Sequence, residues 1–187
     1  GVAAVDEDTA LQALDLIQVD YEDLPAVFDP VEAMLPGAPI IHEDLPSYVA
    51  LFHKTQESMS GNVNYHIMIL KGDIETGWAH SDLILEDTFS TPKVHQVYFE
   101  QLTSVAAFDS DGRVTVWTTT QRPHTNQSVV ASLLNLPISK VRVIPCHVGG
   151  GFGGKGRTLA EPLAVALAQA AKAPVRLSFT REEEFTA

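Results

Sequence analysis

Apolar and polar positions alternate along much of this chain, and the period of the alternation changes from segment to segment. VAAV (2–5) reads as a short strand, and IQVDYE (17–22) alternates as a second. Between them, TALQALDL (9–16) sets Ala10, Leu11 and Leu14 on one helical face, with Asp6 and Asp8 as candidate N-caps. The first 29 residues therefore predict a small β-α-β unit that ends in the two prolines of DLPAVFDP. Residues 30–70 lose their periodicity. Pro30, Pro36, Pro39 and Pro46 fall close together, and SMSGNVN (58–64) is polar and turn-rich, so an extended connector is expected.

From residue 71 the pattern sharpens. KGDIETGWAHSD predicts a short helical turn, and LILEDTFS (83–90) alternates as a strand. Residues 97–109 and 113–120 read as a hairpin turning at Asp111-Gly112. SVVASLLNL (128–136) has helical spacing and ends at Asn135 and Pro137, while KVRVIPCHV (140–148) is a strand. LAEPLAVALAQAAKA (159–173) is a helix, apolar nearly all round. A capping box of Thr158 and Glu161 starts it, or else Pro162 is its first residue. VRLSF (175–179) is a strand, and Thr180 with Glu183 forms a second capping box. The expected class is α+β, a mixed α/β chain, with no internal repeat.

Composition narrows the functional classes. The 187 residues are 45% hydrophobic and 19% charged, ordinary for a globular protein. No apolar run approaches the roughly 18 residues of a membrane span, and no signal-peptide pattern opens the chain. Gly1 stands where an initiator Met would be, and a helix is starting as the sequence stops, so a fragment or a processed chain is expected. A single cysteine, Cys146, excludes an internal disulfide framework and fits a reducing, cytoplasmic compartment, with the periplasm left open. The net charge of −12 argues against nucleic-acid binding. That charge is uneven. Residues 1–93 hold 3 basic and 17 acidic side chains, and residues 94–187 hold 9 and 7. The second half is the one that tolerates an anionic ligand.

HVGGGFGGKG (147–156) lies in that half and contains six glycines in ten residues. Such density gives up conformational entropy, which makes sense where bare backbone is needed. Strand, glycine loop and helix in series form an anion-binding arrangement. GGGFGG satisfies G-x-G-x-x-G, but residues 162–180 hold no acidic residue for a dinucleotide ribose. GGGFGGKG approaches a phosphate loop, but Gly156 replaces the Mg²⁺-binding hydroxyl. Three readings stay open from the residues alone: an anionic cofactor of another kind, a non-redox module holding a nucleotide or phosphate, and a structural segment with no ligand.

VGGGFGGK resembles the molybdopterin-contacting loop of the molybdenum hydroxylases, the xanthine dehydrogenase and aldehyde oxidase family. VAAVDEDTALQALDLIQVDYEDLPAVFDPVEAM resembles the second half of that family's hammerhead domain, and GDIETGWAHSDLILEDTFSTPKVHQVYFE the entry to its molybdenum-binding region. VWTTTQ, LLNLPISKVRVIP and PVRLSFTREEEF also resemble family motifs and fall in the family's order, so the resemblance covers nearly the whole chain. It implies the C-terminal part of a hammerhead domain at 1–35, a connector at 36–70, and the N-terminal part of a molybdopterin-binding domain at 71–187.

The resemblance also implies a function. Members transfer oxygen from water to an aldehyde or N-heterocycle carbon at a molybdenum centre. The cofactor is molybdopterin, here expected in a dinucleotide form. Its dithiolene holds the metal, so no protein ligand is required. Gln121 matches a glutamine that hydrogen-bonds a ligand of the metal. Gly150, Gly151, Phe152, Gly153 and Gly154 match the cofactor-contacting loop, with Phe152 beside the metal. Glu100 matches an acidic position on an inner strand and is taken as structural. Cys146, His147, His95 and His124 are read as ordinary strand, core or surface residues. Xanthine-using members carry a glutamate where this chain has Gly156, which argues against xanthine. The general base, a glutamate, belongs to a later region, so these 187 residues alone are expected to be inactive. Iron–sulfur clusters and FAD are expected on other domains or subunits of a hetero-oligomer.

Overall fold

The computed structural model describes residues 1–47, 61–63 and 66–187. The chain divides into two compact units, one formed by Gly1–Val19 with Pro92–Ala187 and the other by Asp20–Thr91. Helix α1 (Glu7–Leu14) forms as its spacing predicts, and its N-cap Asp6 accepts a 2.8 Å bond from the Thr9 N–H. The flanking segments 2–5 and 17–22 are not strands, which corrects the expected β-α-β unit. Alternation makes a strand only where a neighbour pairs with it, and Val5 and Tyr21 stay 93% and 86% exposed.

In the second unit, α2 (Ile74–Ala79) is capped by Asp73, whose carboxylate accepts from the N–H groups of Glu75 and Thr76. Asn62 ties an irregular stretch together, donating to Ala33 O and Pro39 O and accepting from the Ile41 N–H, each at 2.9 Å. The rest of the turn-rich 58–64 segment lies outside the described residues, Gly61 and Val63 apart. The strand expected at 83–90 does not form among the described residues, none of its positions being assigned to a strand.

The first unit holds a four-stranded sheet of β1 (Thr103–Phe108), β2 (Val114–Thr118), β3 (Val141–Pro145) and β4 (Val175–Ser178), in the order β3-β2-β1-β4. β1 runs antiparallel to β2 and β4, and β2 runs parallel to β3. The β1–β2 hairpin turns at Asp111-Gly112 as expected. Gly112 sits at φ +71°, and the Asp109 carboxylate accepts from Asp111 N–H and Arg113 N–H.

Helix α3 (Pro123–Leu133) carries the chain from β2 to the parallel β3. It begins five residues before the hydrophobic period shows, because Pro123 starts it and its first turn is polar. Helix α4 (Ala160–Ala171) buries Ala160, Ala164 and Ala168 at intervals of four, small residues that let its backbone approach the sheet. Val114, Val116, Val130 and Val165 are fully buried in the core between sheet and helices, each contributing on the order of 1.5–3 kcal/mol.

The expected capping box at Thr158 and Glu161 does not form. The Thr158 hydroxyl donates to Asn126 Oδ1, and Glu161 turns into the interior. Pro162 is the third helical residue rather than the first. Helix α5 (Arg181–Thr186) does carry the predicted box, with Thr180 and Glu183 bonding reciprocally.

Candidate functional site

Parallel pairing puts the C-terminal ends of β2 and β3 side by side, with Thr118 opposite Pro145. The Cys146 N–H donates to Thr118 O at 2.8 Å and continues the ladder by one residue. Gln121 follows β2 by three residues, and the glycine loop follows β3 by four. Segments distant in sequence thus meet at the carboxyl ends of two parallel strands.

The contact between them is close. Gln121 N–H donates to Lys155 O at 3.0 Å. A Cβ on Gly151 would stand 2.7 Å from Gln121 Oε1, so the glutamine amide lies close against bare backbone. A Cβ on Gly154 would meet Tyr98 Cε1 at 2.7 Å, and one on Gly149 would meet Glu100 Oε2 at 2.8 Å. Gly150 and Gly153 adopt φ +138° and +92°, a region closed to most side chains. Phe152 also has positive φ and is 75% exposed, its ring edge close to Gly150. The N–H groups of Gly149, Gly154 and Gly156 are used within the fold, on Glu100, Gly151 O and Gly153 O. Those of Gly150, Gly151, Phe152 and Gly153 make no hydrogen bond among the described residues. The space a Cβ of Gly153 would enter is open. The loop is therefore a cradle with spare donors and room beside it, as a polar, anionic cofactor requires.

Lys155 corrects the phosphate-loop reading. Its side chain is fully buried, and Nζ lies 2.5 Å from Glu100 Oε1 and 4.7 Å from the Tyr98 ring centre. An ammonium held beneath the loop in this way is not free to reach a bound phosphate. Glu100 precedes β1 rather than lying on a strand. Its Oε1 also accepts from the Gly149 N–H at 2.5 Å, so one carboxylate ties both ends of the loop. The hydrogen bond from Lys155, chiefly, holds the Glu100 carboxyl well below its usual range, at about 2. Tyr98 was not legible as a loop contact, since its sequence position gives no sign that Gly154 packs on it.

The helix does not follow the loop directly either. A 3-10 turn, Gly154–Gly156, and three further residues intervene before α4. The Leu159 N–H at that helix start is taken by Glu161 Oε2 at 3.1 Å, so α4 does not present that donor to the loop.

Of the remaining candidates, His95 reaches the site only through Tyr98, its ring 5.3 Å from the Tyr98 ring. Cys146 and His147 are exposed beyond β3 rather than in the core. His95 stacks on Phe185 at 4.5 Å, and His124 is an exposed residue of α3. Among the described residues no three His, Cys, Asp or Glu side chains group as metal ligands, and no helix is long and apolar enough to cross a membrane.

The family described as the molybdopterin cofactor-binding domain matches residues 54–187. The nicotinate dehydrogenase large molybdopterin subunit of Eubacterium barkeri is 33% identical over 99% of this chain and 40% of its own length. The xanthine dehydrogenase molybdenum-binding subunit of Escherichia coli is 33% identical over 100% of this chain and 23% of its own. Among solved structures, the carbon monoxide-reduced Cu,Mo-CO dehydrogenase matches with a TM-score of 0.76 at 32% identity, over 97% of this chain and 23% of that one. The aldehyde oxidoreductase of Desulfovibrio gigas shares the fold at a TM-score of 0.81 and 24% identity, over 97% and 18%. The chain spans under half the length of each of these relatives.

Proposed function

Because the chain belongs to the molybdopterin cofactor-binding domain family, we propose that its glycine loop and Gln121 together form one wall of the cofactor site of a molybdenum-dependent oxidoreductase. The observation that carries this reading is the Gln121 amide lying against Gly151, beside four loop N–H groups with no partner among the described residues. When bound, molybdopterin supplies the molybdenum at which oxygen from water is transferred to an aldehyde or N-heterocycle carbon.

The chain's own residues hold and orient. Gly150, Gly151, Phe152, Gly153 and Gly154 offer bare backbone for close approach. The spare N–H groups give that backbone a partial positive charge toward an anion without a titratable group. The exposed ring of Phe152 excludes water from one side. Gln121 places a neutral amide that donates through Nε2, which keeps its hydrogen-bonding character across pH. Glu100 and Lys155 brace the loop from below.

Further parts of the reading follow the family resemblance. The cofactor is a dinucleotide form, and iron–sulfur and flavin groups reside on other domains or subunits of a hetero-oligomer. Residues 1–35 end a hammerhead domain, 36–70 connect, and 71–187 begin the molybdopterin-binding domain. The enzyme is cytoplasmic. Gly156 in place of a glutamate sets the substrate apart from xanthine. The general base is supplied from outside these residues. A non-redox nucleotide module fits less well, since the lysine such a loop would use is buried and ion-paired.

Gln121→Ala in the complete protein tests the assignment. Molybdenum content should stay at the wild-type level while turnover falls roughly ten- to a hundredfold, the effect of removing one hydrogen bond that strengthens in the transition state. Wild-type turnover in a fully loaded variant would remove Gln121 from the site.

A further inference from the structure

Beneath Gln121 lies a buried polar network that the proposed function does not use. Its centre is Glu161, only 2% exposed, with no cation beside its carboxylate among the described residues. Oε1 accepts from Thr118 Oγ1 at 2.9 Å and from Asn126 Nδ2 at 2.5 Å, and Oε2 accepts from the Leu159 N–H. Thr118 Oγ1 accepts in turn from Ser104 Oγ at 2.8 Å. Asn126, fully buried, directs its second amide hydrogen to Thr120 Oγ1 at 3.0 Å, and its Oδ1 accepts from Thr158. Thr120 Oγ1 also accepts from the Arg122 N–H at 3.0 Å and donates to Lys155 O at 3.4 Å.

Counting donors and acceptors fixes the direction of every bond. Above the pH at which Glu161 titrates, its carboxylate is ionised and only accepts. Asn126 must therefore turn its NH₂ toward Glu161, and the other hydrogen of that group then points to Thr120. With two donors already aimed at its oxygen, the Thr120 hydroxyl has only its own proton left, and it gives that proton to Lys155 O. Lys155 O is the atom that also receives the Gln121 N–H. Thr120 Oγ1 and the Arg122 N–H close a side-chain turn around Gln121. The peptide bearing Gln121 is thus held on both sides by a hydroxyl whose orientation Glu161 dictates.

We infer that Glu161 is a positioning residue for Gln121, acting through Asn126 and Thr120 to hold the Gln121 amide against the glycine loop. This rests on the reading of Gln121 given above. An acceptor-only group at the centre leaves the network one consistent arrangement. Without it, the Asn126 amide can flip, the Thr120 hydroxyl can rotate, and the 120–122 backbone gains alternatives. A displacement of that kind at a transition-state hydrogen bond is costly to rate.

The test uses the complete, cofactor-loaded protein and four variants. Thr120→Val keeps the side-chain shape and cuts the relay at its last member. Glu161→Leu removes the central acceptor, and Glu161→Gln keeps Oε1 for Thr118 and Asn126 but replaces the acceptor of the Leu159 N–H by an NH₂ donor. Gln121→Ala is the reference. Turnover should fall roughly tenfold for Thr120→Val and Glu161→Leu with KM unchanged, and recover to within about twofold in Glu161→Gln. In the Gln121→Ala background, Thr120→Val should lower turnover no further, since both remove the same interaction.

Amide hydrogen exchange gives a readout independent of turnover. The Gln121 N–H should exchange faster in Thr120→Val and in Glu161→Leu, but not in Glu161→Gln. If Glu161→Leu does not fold, Thr120→Val alone decides. Wild-type turnover and exchange in Thr120→Val would overturn the inference, as would an equal further loss in the Gln121→Ala background. Wild-type turnover in Gln121→Ala itself would instead overturn the reading on which the inference rests.

Discussion

Glu100 and Glu161 lie in the same compact unit, each holds the site from its own side, and each is stabilised by different means. Glu100 is partly exposed, pairs with the buried ammonium of Lys155, and has its carboxyl held down at about 2. Glu161 is buried among neutral donors. Desolvation raises its pKa, and the hydrogen bonds from the Thr118 hydroxyl and the Leu159 N–H only partly oppose that. At the rim, the carboxylate offsets a charge that would otherwise be buried alone. In the core, the carboxylate is itself the buried charge, and what it supplies is hydrogen-bond direction. A rim ion pair closes a loop, whereas a core acceptor orders the residues behind it.

The largest expected effect breaks the rim side. Glu100→Gln leaves the Lys155 ammonium buried without a charge partner, and stability should drop by roughly 3 kcal/mol, the low end for such a loss because Glu100 is partly solvated. Urea unfolding of the complete protein measures this. Adding Lys155→Met should restore most of the loss. A change under about 1 kcal/mol in the single variant would mean that water already compensates the lysine.

Next comes pH, where the two carboxylates have opposite signs. The folded-state pKa of Glu100 lies below its ordinary 4.5, so the stability it contributes is present above that value and is lost as pH falls toward about 2. Glu161 titrates above 4.5 in the folded state, so the folded protein holds its proton longer than the unfolded chain does. Its contribution is therefore lost as pH rises from 4.5 through the raised value. Relative to wild type, Glu161→Gln should gain stability over that rise, and Glu100→Gln should gain as pH falls from 4.5 toward about 2. Parallel curves for the two variants would remove the contrast.

The smallest effect sharpens the core side. Ser104→Ala removes the outermost donor of the network and leaves one lone pair of Thr118 unfilled, at a cost of about 1 kcal/mol. Thermal unfolding reads this, and turnover should not change.

The sequence made these features legible to different degrees. The hairpin at Asp111-Gly112, the Asp6 cap and the Thr180–Glu183 box were legible because each is specified within a few residues. The supposed strands at 2–5, 17–22 and 83–90 were misread because alternation does not name a pairing partner. Glu161 was misread for a related reason. Thr-x-x-Glu is the pattern of a capping box, but Asn126, 35 residues away, offers the carboxylate a better place in the core. Gly156 already set GGK apart from a phosphate loop, but that Glu100 pairs with Lys155 beneath it was not legible. Gln121 and the glycines could each be picked out at the end of a predicted strand. Their contact depends on the parallel pairing of β2 and β3, which no local pattern announces.

The central claim is that the glycine loop holds molybdopterin, and the molybdenum-to-protein ratio of Gly153→Val in the complete protein tests it most directly. A Cβ at Gly153 meets nothing of the described protein within 4 Å, so the substitution does not clash with a neighbour there. Its φ of +92° excludes valine, so the loop must change course and fill the space beside it. The account predicts a folded protein that has lost most of its molybdenum and pterin. Wild-type content of both would contradict it and leave the loop a structural turn.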